Sequence, residues 1–137
     1  MSSPKSEYVI DAHALIWYLT GSPRLGINAR VVLTDAATIL YLPIIALAEA
    51  CWAVERGKTN VPTVAALLAD VDADPRITVV PLDRNILDRA QVITSVHEMH
   101  DRQIAATALY LSTHETSVSL LTCDADIVAS KVVPIVW

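Results

Sequence analysis

Thr38-Ile39-Leu40-Tyr41-Leu42-Pro43 runs directly into IIALAEACWAVER, Ile44 to Arg56, and that segment stops at Gly57. TILYL is apolar throughout, as in a strand covered on both faces; a strand wet on one face would alternate polar and apolar residues. Pro43 ends it by removing a backbone donor. Ile44 to Arg56 has no interior Gly or Pro and reads as a helix, with Gly57 suited to the left-handed position just past its end. A doubly covered strand feeding a helix is half of a βαβ unit, and repeats of that unit build a parallel sheet with helices on both faces.

The same alternation continues in both directions. Upstream, Tyr8 to Ile10 is a short strand ending at Asp11. Ala12 to Leu19 has helical character and halts at Thr20-Gly21-Ser22-Pro23, a breaker cluster. Asn28 to Asp35 forms a second helix. Downstream, Thr63 to Val71 is a helix with Thr63 as N-cap, and Ile77 to Leu82 is a third strand. Asp83 caps a helix predicted to run to about Val96, and Asp101 to Thr113 is an Ala-rich helix opened by an acid. Val118 to Thr122 is a fourth strand, and Val132 to Val136 a fifth, placed at a sheet edge by Pro134. Residues 1–6 read as a frayed tail. The expectation is one α/β domain over residues 1–137, with a central, mainly parallel five-stranded sheet. Ligands of such folds bind beyond the C-terminal ends of the strands, where strand order reverses.

Composition limits the function classes. With 53% hydrophobic and 18% charged residues, the chain can bury a core and is not a disordered tail. Cys51 and Cys123 rule out a disulfide framework; both read as small buried hydrophobes, which favours a reducing compartment. Neither a signal peptide nor an apolar run of spanning length is present, so the expected location is cytoplasmic. The net charge of −5 argues against a protein that coats nucleic acid through clustered Lys and Arg. It leaves room for a nuclease that meets phosphate through bound cations.

Five acids stand out. Asp11 and Asp124 sit at strand C-terminal ends, and Asp126 follows two residues later. Asp101 opens a helix. Glu49 lies in an apolar helical stripe, with Ile45, Ala46, Trp52 and Ala53 at i−4, i−3, i+3 and i+4. A carboxylate there needs a partner, either a structural Arg or a metal ion. Converging carboxylates repel and raise one another's pKa, and a hard divalent cation resolves the conflict: Mg²⁺ or Mn²⁺ takes oxygen ligands, and a pair of such ions can drive phosphodiester hydrolysis. Removing these five acids from the total of fifteen leaves ten, equal to the ten basic residues. Read singly, each Asp is equally a turn former or a helix cap. Asp83 is such a cap, and Asp35, Asp70, Asp72, Asp74 and Asp88 read as solvated.

Four segments, taken in order, resemble the PIN-domain ribonucleases, particularly the VapC-like toxins of bacterial toxin–antitoxin pairs. They are VIDAHALIWYL (Val9–Leu19), IIALAEACW (Ile44–Trp52), HDRQIAATAL (His100–Leu109) and LLTCDADI (Leu120–Ile127). The resemblance covers roughly residues 7–130. It implies an α/β/α sandwich and a Mg²⁺- or Mn²⁺-dependent endoribonuclease with Asp11, Glu49, Asp101 and Asp124 as the acidic quartet. Asp11 and Asp101 would be direct ligands, Asp126 an auxiliary acid and Thr122 an orienting hydroxyl. It also implies a homodimer and a cognate antitoxin that blocks the site, often with a basic side chain. Ala46 departs from the pattern: many relatives carry Ser three residues before the Glu, and the hydroxyl that would support Glu49 is missing.

Other residues have plainer readings. His97-Glu98-Met99-His100 has its histidines three apart, not four, and so is no zinc-protease motif; it reads as a loop before the Asp101 helix, with His100 able to touch phosphate. His13 is a packed histidine or a rim residue. Arg102 pairs with a site carboxylate or contacts phosphate. Arg24, Arg56, Lys58 and Arg84 are solvated charges or line an RNA groove. Trp17, Tyr18 and Trp52 belong to the core or a dimer interface, and seven aromatic residues are too few for a stacking-driven RNA reader. Two rival classes remain. A receiver-like phosphoacceptor domain would use Asp83 and the Lys131-Val132-Val133-Pro134 segment but would leave Glu49 and Asp124 idle. A PIN-like binding module without catalysis would keep the fold but not the reaction.

Overall fold

The computed structural model describes residues 6–137. Five strands form one sheet, β1 (Glu7–Ile10), β2 (Ile39–Pro43), β3 (Ile77–Val80), β4 (Val118–Leu121) and β5 (Ile135–Val136), in the order β3-β2-β1-β4-β5. Every pairing is parallel, with Tyr8 opposite both Leu40 and Ser119. The helices are α1 (Ala12–Leu19), α2 (Ile27–Thr34), α3 (Ile44–Glu55), α4 (Val64–Ala73), α5 (Arg84–Val92), α6 (Met99–Leu111) and α7 (Ala125–Ser130). They cover both faces and give the α/β/α sandwich. Val9, Ile10, Leu40, Leu42, Val118, Leu120 and Leu121 are fully buried, which accounts for the uninterrupted apolar reading of the three inner strands.

The chain winds outward from β1 to β2 and β3, then returns past β1 to β4 and β5. The order therefore reverses between β1 and β4, and the crevice beyond their C-terminal ends is the place such a sheet offers a ligand. A receiver-like sheet, ordered 2-1-3-4-5, puts strands two and three beside strand one. Here β1 lies between β2 and β4, so the receiver reading is excluded by topology. Asp83 serves only to cap α5, accepting from the Ile86 N–H at 3.0 Å.

Several boundaries differ from the sequence reading. The helix after Asp83 ends at Val92, not near Val96, because Ile93 leaves helical geometry (φ −85°, ψ 70°). α6 begins at Met99, two residues before Asp101, so Met99 and His100 are helical rather than loop. β3 stops at Val80 and β5 spans two residues, while α7 had no counterpart in the sequence reading. Pro134 does mark an edge strand. Cys51 is half-buried but Cys123 is exposed, against the expectation that both are buried. Of the frayed tail expected over residues 1–6, residues 1–5 lie outside the described residues; the Ser6 carbonyl accepts from the Ile39 N–H at 2.9 Å. Among the described residues no helix is long and apolar enough to cross a membrane.

Candidate active site

Asp11 follows β1 directly, and its own N–H still reaches the Leu121 carbonyl of β4 at 3.3 Å. The backbone is extended there (φ −82°, ψ 168°) and turns into α1, so the side chain becomes that helix's N-cap. Oδ1 accepts from the N–H groups of His13 and Ala14 at 2.8 and 3.2 Å. Oδ2 accepts from the Thr122 hydroxyl at 2.5 Å. Thr122 is fully buried just past β4, and its oxygen in turn accepts from the Asp124 N–H at 3.1 Å. One hydroxyl thus ties the ends of β1 and β4 together. Asp124 caps α7 through Oδ2, which accepts from the Ile127 N–H at 2.9 Å. The cap reading of both acids is correct, and it leaves each carboxylate with unused lone pairs.

Glu49 reaches the same place from α3. Its helix packs Ala46 and Ala50 fully into the core, which turns the carboxylate toward the cavity while its side chain stays 35% exposed. No Arg or Lys forms an ion pair with it among the described residues; the basic side chain beside it is His100, with Nδ1 4.0 Å from Oε1. The structural Arg that would make Glu49 unremarkable is therefore not there. Ala46 is completely buried, so the position at which the family resemblance leads to an expectation of Ser here serves packing.

Asp101 comes from the first turn of α6. The expected N-cap role belongs instead to Glu98, whose Oε2 accepts from the Asp101 N–H at 2.9 Å while Oε1 meets His100 Nδ1 at 2.9 Å. The Asp101 carboxylate accepts no hydrogen bond from any described residue. Asp11, Glu49, Glu98, Asp101 and Asp124 line one cavity of about 780 Å³, with His13, His100 and Lys58 at its margin and Ile16, Ile45, Trp52 and Ile104 as an apolar wall. Of the expected site residues, Thr122, Asp126 and Arg102 are not part of this lining; Thr122 is fully buried and acts on the site through its bond to Asp11. The Asp126 carboxylate is taken by His97, through the backbone N–H at 2.7 Å and Nδ1 at 3.0 Å. Arg102 donates from Nε to the Val96 carbonyl and so braces the loop before α6. His13 is exposed and stacks on Trp17 with ring centroids 5.1 Å apart. Glu98 was passed over by sequence reasoning, although an acid three residues ahead of Asp101 has the spacing of an N-cap and the N–H it captures.

The electrostatics follow from this crowding. Burial raises the Asp11 pKa above the usual carboxylate value, against the opposing pull of the Thr122 hydroxyl and the α1 N–H groups. Burial also raises Glu49, helped by the charges of Glu98 and Asp11 and opposed by His100 and His13. Asp101 is pushed up to about 7, first by burial and then by the charges of Asp124, Glu98, Glu49 and Asp11. For Glu98 the penalty of burial is outweighed by the Asp101 N–H and by His100, and its pKa falls. A half-buried carboxyl with acids around it and no donor of its own is a group that a cation would neutralise. All-oxygen donors from Asp and Glu suit a hard divalent ion such as Mg²⁺ or Mn²⁺. Glu49, Glu98 and His100 also offer ligand atoms within 4.8 Å of one another, but His100 is already bonded to Glu98, so this trio satisfies itself.

Comparisons with known proteins identify the family and the fold. Residues 8–132 match the PIN domain family. The fold is similar to that of VapBC2 from Rickettsia felis, solved bound to a DNA fragment from its promoter; TM-score is 0.67 and identity 12%, covering 93% of this chain and 96% of that one. It is similar to a toxin–antitoxin complex from Klebsiella pneumoniae, with TM-score 0.62 and 15% identity over 93% and 95% of the two chains. It also resembles VapC20 from Mycobacterium tuberculosis, a toxin that cleaves the sarcin–ricin loop, with TM-score 0.66 and 14% identity over 91% and 95%. No curated protein matches by sequence. With a match that begins inside the first strand, runs through β4 and takes in each acid of the cavity, the chain belongs to the PIN domain family.

Proposed function

We propose that the chain is a divalent-metal-dependent endoribonuclease and the toxin of a toxin–antitoxin pair. The observation that carries this reading is the meeting of Asp11, Glu49, Asp101 and Asp124, from four separate stretches of sequence, around one cavity at the strand-order reversal. Asp11 and Asp101 are the residues to hold Mg²⁺ or Mn²⁺, with Glu49 and Asp124 as further ligands or base. When bound, such an ion supplies Lewis-acid activation of water and neutralises charge on the phosphodiester. Asp11 is held rigid by Thr122 and the first turn of α1, so it presents its free lone pairs in a fixed direction. Asp101, its pKa pushed up to about 7, is only partly ionised near neutrality, and a bound cation would favour its charged, ligating form. Attack of water on phosphorus forms one P–O bond and breaks the bond to O3′. The water's proton passes to a site carboxylate and O3′ takes up a proton, leaving 5′-phosphate and 3′-hydroxyl ends.

The partners follow from the same reading. Relatives of this fold are described as toxin–antitoxin complexes, and an acidic cavity with an apolar wall suits a basic side chain carried on an apolar segment of a cognate antitoxin. A homodimer completes the proposed assembly, and the cytoplasm its location. The test is RNA cleavage with and without Mg²⁺ by wild type, Asp101→Asn and Asp11→Ala, followed by mapping of the cut ends. Cleavage should need the ion, drop to background in both variants and leave 5′-phosphates. Folded wild-type protein that binds RNA but never cuts it in Mg²⁺ or Mn²⁺ would establish the silent binding module instead.

A further inference from the structure

Beside the acidic cavity lies a second, smaller one of about 230 Å³, and the two share Ile16 and Lys58 in their walls. The second is polar: Thr20, Ser22, Arg24, Lys58, Thr59 and Asn60 provide most of its lining. Two helix ends build it in the same way. α1 closes with Gly21 at φ +64°, where the Ser22 N–H reaches the Trp17 carbonyl at 2.8 Å and the Gly21 N–H reaches Tyr18 at 3.2 Å. α3 closes with Gly57 at φ +67°, where the Lys58 N–H reaches Ala53 at 3.0 Å and the Gly57 N–H reaches Val54 at 3.0 Å. Both are Schellman turns, which fix the path of the chain leaving a helix. Together they bring Arg24 and the Lys58–Asn60 loop to one groove at the C-terminal end of α1.

The charges there have no internal use. Lys58 and Arg24 are exposed, and neither forms an ion pair or a side-chain hydrogen bond to a described residue, whereas Arg76 and Arg84 pair with Asp74 and Asp88. Lys58 is the one Lys or Arg among the described residues lining the acidic cavity. A polyanion approaching five carboxylates in a chain of net charge −5 must be held by cations placed to one side. We propose that the Lys58–Arg24 groove seats backbone phosphate of the RNA strand next to the bond cut, so that the strand leaves the acidic site along α1 toward the turn after it. This inference rests on the nuclease reading. Lys58, standing in both cavities, would bridge the reacting nucleotide and its neighbour, with Thr20, Ser22, Thr59 and Asn60 as hydrogen-bonding partners for ribose and phosphate oxygens.

The test measures binding of a labelled single-stranded oligouridine over a range of salt concentrations, with Ca²⁺ in place of Mg²⁺ to hold cleavage down. The proteins are wild type, Lys58→Gln, Arg24→Gln, the double variant and Arg84→Gln, which removes an equal charge elsewhere. Losing one phosphate contact should reduce the slope of log affinity against log salt by roughly 0.7, and the double variant by about twice that. Affinity should weaken several-fold in each groove variant and stay at the wild-type value in Arg84→Gln. Equal slopes in all five proteins would overturn the proposal. So would a lower melting temperature in the groove variants with an unchanged slope, since the cations would then serve only the helix ends. Mg²⁺-dependent cleavage by wild type, measured alongside, keeps the two readings apart: RNA cut with slopes unchanged removes the groove alone, and RNA left intact removes the nuclease reading.

Discussion

Asp101 is half-buried, ringed by acids, and has no donor among the described residues to share its charge, which is why its pKa reaches about 7. In the unfolded chain the same carboxyl ionises near 4. Between those values the native state holds a proton that the unfolded state has released. Stability of the metal-free protein should therefore fall as pH rises from about 4 to about 7 and stay low above that. Asp101→Asn removes the charge and part of the slope. Because the group is partly solvated, the gain at pH 8 should be about 1 kcal/mol, read from denaturant midpoints in chelator at pH 5 and pH 8. A variant whose midpoints follow wild type at both pH values would show that Asp101 ionises without strain. Thr122 makes the complementary case. Its buried hydroxyl is the donor that opposes the burial penalty on Asp11, so Thr122→Val should cost about 2 kcal/mol at neutral pH and lower cleavage about 10- to 100-fold. Thr122→Ser, which keeps the hydroxyl, should retain most of both stability and cleavage; a Val variant indistinguishable from wild type would show that the hydroxyl does not support Asp11.

Elements with an unambiguous hydrophobic period were legible in the sequence, and those with competing polar signals were not. TILYL and the helix from Ile44 were read almost to the residue because doubly covered strands and Gly-terminated helices leave strong marks. Asp11 and Asp124 were placed correctly because strand ends in a parallel sheet all point the same way. The start of α6 is hard to read because Asp101 has the look of a cap, whereas the actual cap, Glu98, lies between two histidines in a segment whose pattern suggests a loop. α7 went unseen since it has only six residues and ends on Lys131 in the left-handed region, without the Gly that usually marks such a stop. The cap can be tested. Glu98→Ala should destabilise the fold by about 1 kcal/mol and free His100, while Glu98→Asp, which also caps, should recover part of the loss. Thermal melts in chelator measure the cap apart from any ion, and equal melting of wild type and Glu98→Ala would place the start of α6 elsewhere.

The molecule as a whole gathers its charge excess at one rim. Five acids line the cavity, but they are not the five singled out in the sequence: Glu98 is among them and Asp126 is not. No charge count could make that distinction, because it depends on His97 reaching across to Asp126 from the loop before α6. The core beneath is apolar and complete without any ion, with Ile10, Leu40, Leu120 and Ile127 fully buried. A divalent cation should therefore be a ligand added to a fold that already exists, not a requirement for folding. At about a hundred times its dissociation constant such a ligand stabilises the native state by about 2.7 kcal/mol. For a chain of this size that is a rise in melting temperature on the order of 8 °C. The rise should be larger at pH 8 than at pH 5, since Asp101 and its neighbours must give up protons to bind. Chelator should reverse it without unfolding the protein. Asp11→Asn and Asp101→Asn should abolish it, whereas Asp126→Asn should retain it, because that carboxylate is already committed to His97. If Mg²⁺ and Mn²⁺ left the wild-type melt unmoved at pH 8, or if Asp126→Asn lost the shift while Asp101→Asn kept it, the acids would not form the ion site their geometry describes.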